Sequence, residues 1–309
     1  MTPSEIQRVV DVNQMKHIHF GRVEIFSSTG LLIALVEFRP FTTMSEVEVN
    51  QWDELSQFLF HERKFTNPVS TNGALLEGFM FAIGWRKCSK KNEQFGLYGS
   101  LGKIENTKDE WWNQGANLSL VGCILGKSLQ YVGDKLFQKI QTCYKSLGVP
   151  SFDQVNSEAN ISSNQGAFEF ASALTLTMNG FKNPPHLDKD PSLYASGWWF
   201  EADKWTIQIQ RDVSKRCTGE KFIFPNEHFW INLLECHELI QVVWASSTFF
   251  HHTDAAQDNE STTLVGMSTQ CSRRLAKTMW HKSHSYYEIG EGAGYHIRDG
   301  DAISSHLEE

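Results

Sequence analysis

The chain has 309 residues, 40% of them hydrophobic and 21% charged, enough to bury a sizeable core in one large domain or two modest ones. Its formal net charge of −8 argues against a surface built for general phosphate attraction, while leaving room for a local basic groove. The first twenty residues hold no apolar run of signal-sequence length, no later stretch could span a bilayer, and the six cysteines form no CxxC pair. An intracellular, reducing setting is therefore expected, with neither a disulfide framework nor a zinc knuckle.

In chain order, residues 16–26 (KHIHFGRVEIF) and 31–39 (LLIALVEFR) are β-rich and flank SSTG, which predicts a hairpin. Ser45 followed by Glu48 has the form of a capping box, and Val49, Trp52, Leu55 and Leu59 then fall on one helical face. Residues 66–115 are rich in Gly, Asn and Lys. From Leu118 to Tyr144, apolar residues recur every three or four positions, which predicts one long amphipathic helix ended by Gly148 and Pro150.

Beyond residue 168 the pattern shortens. FASALTLTMNGF, YASGWWFEA, WTIQIQRD, GEKFIFP, FWINLL, ELIQVVWASS and TTLVGMSTQ read as successive strands without long helices between them. That spacing predicts an antiparallel sandwich or barrel, and the whole an α+β protein. Residues 1–150 would form a helical and hairpin part packed on a 151–309 core, as one integrated domain.

His186 and Asp188, in NPPHLDKD, follow the strand ALTLTMNGF, and His251 and His252 end a later one, WASSTFFHHTD. A His-x-Asp pair with a distant His is the ligand pattern of a non-haem iron site, in which three protein ligands leave the other coordination positions open. His251 is preferred over His252 by strand parity. A solvated turn is the competing reading of HLD, and His252 with Asp254 makes a second His-x-Asp. The strand before HLD favours the metal: Thr175, Thr177 and Asn179 alternate with Leu174, Leu176 and Met178, a polar face suited to a cavity. GEKFIFP would pack beneath the site.

The ordered set HLDKD, GEKFIFPNEHFWINL, VVWASSTFFHHTD and LVGMSTQCSRRL, with the upstream GFMFAIGWRKCSKK, resembles the fungal Tet-like branch of iron(II)- and 2-oxoglutarate-dependent dioxygenases. These are related to the ten-eleven-translocation and J-binding-protein enzymes, which oxidise methyl groups of DNA bases. The resemblance spans about residues 75–280. It implies a double-stranded β-helix (jelly-roll) core, iron on His186, Asp188 and His251, and 2-oxoglutarate as co-substrate.

Thr177, Asn179 and Gln270 are candidates to line the co-substrate pocket, Gln270 sharing parity with Gly266 and Ser268. One departure stands out. The family carries a basic residue early on the closing strand for the far carboxylate of 2-oxoglutarate, whereas this chain has Leu264 there. Arg274, Arg273 or Arg211 would have to compensate.

Trp85, Arg86 and Lys87, with Lys90, Lys91, Phe95 and Tyr98, form a basic and aromatic cluster that could hold DNA, or be a plain solvated loop. Trp198 and Trp199 could stack on a substrate or fill the core. Three functions follow: oxidation of a modified base such as 5-methylcytosine, oxidation of a non-nucleic-acid substrate, or a binding module that has lost catalysis.

Overall fold

The computed structural model describes residues 15–283 except 72–73, 76, 88–95, 116, 154–166, 213, 235–237 and 256. Its first half runs β1 (Lys16–Ile18), β2 (Arg22–Phe26), β3 (Leu32–Pro40), α1 (Glu46–Glu62), β4 (Ser70–Thr71), β5 (Ala74–Leu75), β6 (Glu77–Arg86) and β7 (Gly96–Leu97). Helices α2 (Leu101–Ile104), α3 (Lys108–Gly115) and α4 (Leu118–Ser146) follow. The second half carries β8 (Ala173–Lys182), β9 (Ala195–Asp203), β10 (Lys221–Phe224), β11 (Phe229–Asn232), β12 (Glu238–Trp244), β13 (His252–Asp254) and β14 (Thr262–Gln270), then α5 (Arg273–Ser283).

Eight strands join in the order β2-β3-β12-β9-β14-β8-β6-β7, and a smaller sheet has the order β1-β11-β10-β13. The large sheet is antiparallel and draws strands from both sides of residue 150. Its two faces follow from strand alternation. Leu35, Leu174, Leu176, Trp198, Val243 and Val265 pack in one core with Leu55, Leu59, Leu125 and Leu129 of α1 and α4. The opposite face, including Val36, Trp199, Ile240, Val242 and Leu264, meets Phe222, Phe224 and Ile231 of the small sheet. Two facing sheets backed by helices are the jelly-roll arrangement expected.

The Ser45 capping box forms: Ser45 Oγ accepts from Glu48 N at 3.3 Å, and a Glu48 carboxylate oxygen accepts from Ser45 N at 3.1 Å. Such a cap stabilises the helix by about 1 kcal/mol. The long helix runs from Leu118 to Ser146 with a break at Gly133.

Two expectations need correction. Residues 16–26 are not one hairpin strand: only β2 pairs with β3, while β1 crosses to lie parallel to β11. The chain turns between them at Gly21, whose φ is +72°. WTIQIQRD forms no strand of its own, only an isolated bridge from Ile209 to Ala202. This segment is instead tied to α1 through Asp53, which accepts from Ile209 N at 2.8 Å and from Arg211 at 2.7 Å.

Behind the large sheet, the Asp153 carboxyl packs where a Gly122 side chain would stand. Burial pushes its pKa up to about 6, and nearby Glu169 adds to the rise. A carboxyl raised in the folded state favours folding when protonated, so this contribution is complete below about pH 4 and fades as pH climbs through about 6. Relative to Asp153→Asn, the parent should lose about 2–3 kcal/mol of stability between about pH 4 and pH 7, measured by denaturant titration.

Candidate metal centre

His186 lies in the loop after β8, and His251 immediately precedes β13. Their backbones form a two-way bridge, His186 N to His251 O and His251 N to His186 O, both 3.1 Å. Asp188 is held by its own N–H, which donates to Ser246 O at 2.9 Å. The distant stretches are thus joined by main-chain bonds before any metal is considered. Asn183 adds a third link, its side chain accepting from Thr253 N at 2.8 Å.

The side chains converge. His186 Nε2 is 3.6 Å from one Asp188 carboxylate oxygen, and His251 Nε2 is 3.7 Å from the other. All three ligand atoms lie within 4.8 Å of one another. Each imidazole sets its other nitrogen 3.0 Å from a carbonyl oxygen, His186 Nδ1 at Pro184 O and His251 Nδ1 at Phe249 O. Nδ1–H donation to these carbonyls leaves each Nε2 with a lone pair aimed at the carboxylate.

Two lone pairs and an anion facing one another in a mostly buried place call for a cation. Protonation of His251 does not supply it, because burial, followed by neighbouring His186, depresses its pKa to about 3. The donor set of two imidazoles and one carboxylate fits iron(II). The parity preference for His251 agrees with this geometry. His252 points elsewhere, beside Asp254 and Lys182, and is not in the cluster.

The three groups stand at a cavity of about 430 Å³, whose lining includes Thr175, Thr177, Ser268 and Gln270. Its aromatic wall is Trp199, Phe222 and Trp244, the last two with ring centroids 5.6 and 5.0–5.5 Å from their neighbours: Phe222 to His251 5.6 Å, Trp244 to His251 5.5 Å, Phe222 to Trp244 5.0 Å. GEKFIFP does pack beneath the histidine.

Other candidates fall elsewhere. Asn179 leaves the cavity because it and Gly180 take left-handed backbone, φ +57° and +68°, and it lines a separate cleft with Arg63 and Lys204. Arg274 and Arg273 are exposed at the start of α5, and Arg211 is paired with Asp53, so none lines the cavity. Leu264 is buried between the sheets.

Trp85 is a core residue, 2% exposed, its Nε1–H donating to Ser151 O, which removes it from any substrate surface. Arg86 donates to Leu97 O and lies over Tyr98, and Lys87 is exposed. Lys90, Lys91 and Phe95 lie outside the described residues. Trp198 is fully buried and donates to Ser128 Oγ, whereas Trp199 lines the cavity. The Pro184, Ser246 and Phe249 carbonyls and the Asn183 tether escaped sequence reasoning, since a main-chain partner leaves no mark on residue type.

The family model described as Tet-like 2OG-Fe(II) oxygenase superfamily matches residues 45–256, a span that contains all three converging groups. This chain belongs to that superfamily. It is accordingly a dioxygenase that works with iron(II) and 2-oxoglutarate.

Among solved structures, the chain is similar to NgTET1 in complex with 5mC DNA, at 8% identity and a TM-score of 0.46, covering 100% of both chains. It is also similar to an oxidoreductase of the 2OG-Fe(II) oxygenase family from Burkholderia pseudomallei, at 13% identity and a TM-score of 0.36, covering 84% of this chain and 99% of that one. No curated protein matches. Among the described residues no helix is long and apolar enough to cross a membrane.

Proposed function

We propose that His186, Asp188 and His251 hold the iron, and that the enzyme oxidises the methyl group of a modified base such as 5-methylcytosine in DNA. The observation carrying the ligand assignment is the pair of imidazoles, each fixed by a carbonyl, with both Nε2 atoms turned to one carboxylate. Bound iron and 2-oxoglutarate together supply the oxidising power for C–H hydroxylation. The chain's residues hold the ligands, and the Trp199, Phe222 and Trp244 wall shelters the reacting centre from water.

One feature supports a nucleic-acid substrate. Strand β8 runs from the metal cavity, lined by Phe181, into the cleft that Arg63 and Lys204 flank. In that cleft Arg63 has no carboxylate partner among the described residues, while Lys204 is paired with Asp258 at 3.4 Å, so Arg63 is the cation there for a phosphate. The net charge of −8 favours the second reading, a small-molecule or protein substrate.

The test is anaerobic loading with iron(II) and 2-oxoglutarate, then oxygen and methylated duplex DNA, with mass spectrometry of the nucleosides. A hydroxymethyl product is expected. Succinate formed over an unchanged methyl group would move the assignment to the second reading. No visible charge-transfer band and no succinate would overturn the reading of this site as an active oxygenase centre.

A further inference from the structure

We infer that this cavity receives the far end of its 2-oxo acid with neutral N–H and O–H donors in place of a cation, and so discriminates weakly between an anionic and an uncharged tail. The inference rests on the ligand assignment above. None of the described residues lining the cavity is Lys or Arg.

The position where a guanidinium was expected is closed to an anion. Leu264 is 2% exposed and packs with Trp199 and Phe222. Its cross-strand partner, Glu201, is buried and accepts from Cys217 N at 2.7 Å, and burial raises its pKa. An apolar side chain beside a buried acid offers an incoming carboxylate no donor.

Two residues further along the same face, Gly266 opens a different place. A Cβ there would strike Thr177 Oγ1 and would lie 2.7 Å from Trp199 Nε1, so a hydroxyl and an indole N–H converge over the missing side chain. Neither atom has a hydrogen-bond partner among the described residues, and both residues line the cavity. Trp244, also in the lining, buries its Nε1–H without an acceptor. Buried N–H groups are rarely left unmatched, and an acceptor on a bound acid would satisfy them.

The consequence for selectivity is physical. A buried guanidinium rejects a neutral tail strongly, because the tail leaves it unpaired. Here an uncharged tail that keeps an acceptor, such as an ester carbonyl, satisfies the same donors and strands no charge, and an anionic tail must shed water for neutral donors alone. The two tails should therefore bind with similar strength.

The full chain is loaded anaerobically with Mn(II), uptake being read by electron paramagnetic resonance. It is then titrated with 2-oxoglutarate, with its 5-methyl ester, and with 2-oxopentanoate, whose tail carries no acceptor, read by tryptophan fluorescence and calorimetry. Dissociation constants within about tenfold are expected for the first two. Trp199→Phe, which keeps a ring and removes the N–H, should weaken 2-oxoglutarate and its ester about five- to tenfold and leave 2-oxopentanoate unchanged.

A preference for the dicarboxylate over its ester above about a hundredfold, or no binding of any of the three acids to the metal-loaded protein, would overturn the inference alone. Equal weakening of all three acids by Trp199→Phe would overturn the role of its N–H. Failure to take up Mn(II) would overturn the ligand assignment and this inference with it.

Discussion

Asp188→Ala is expected to abolish iron(II) binding and leave the fold standing. The carboxylate is the one group that faces both Nε2 atoms, at 3.6 and 3.7 Å, so its loss removes the anion that balances the cation and joins the two imidazoles. Its contribution to apo stability is small, because burial raises its pKa and so disfavours its charged form. The backbone bond to Ser246 O does not depend on the side chain.

Without metal, the stabilities of parent and variant should therefore agree within about 1 kcal/mol. With iron(II) at about a hundred times its dissociation constant, the parent alone should gain about 2.7 kcal/mol. His252→Ala is the control: it removes an imidazole adjacent in sequence and absent from the cluster, and should retain both metal uptake and that gain. A variant lacking Asp188 that is still stabilised by iron would refute the assignment.

The parts of this site that were legible in the sequence are those where side-chain type carries the physics. Strand alternation placed Thr175 and Thr177 on the cavity face, and parity separated His251 from His252. The capping box located the start of α1 because its partners lie three residues apart.

Alternation failed at Asn179, where two consecutive left-handed residues break the strand's period, and no residue other than Gly180 announced the break. The crossing of β1 to the small sheet was invisible because parallel pairing with β11 is set over some two hundred residues of chain. Trp85 belongs neither to a binding surface nor to a solvated loop: an aromatic beside basic residues is compatible with both, and only its N–H, given to a buried carbonyl, places it in the core. The fate of the carboxylate anchor needed coordinates: Leu264 declares a missing cation, and only the packing of Thr177 and Trp199 over Gly266 reveals an alternative.

That packing makes Gly266→Ala the second large effect. The Trp199 ring crosses two glycines, its Nε1 and Cδ1 lying 2.7 and 2.9 Å from a Cβ at Gly266, and its Cη2 and Cζ3 2.6 and 2.9 Å from one at Gly197. A methyl at Gly266 also strikes Thr177 Oγ1, and Trp199 is short of room, being 4% exposed against Phe222 and Trp244. With its far end over Gly197 and its face against Phe222, the indole must shift to admit the methyl. Such overpacking costs about 1–3 kcal/mol. Because the three ligand residues hang from other segments, metal uptake should persist while 2-oxo acid binding weakens by at least about tenfold, or about 1.4 kcal/mol. Denaturant titration reads the first change, and fluorescence titration of the Mn(II)-loaded variant the second. A variant as stable as the parent, with unchanged affinity for the acid, would show that Trp199 does not form the floor over Gly266.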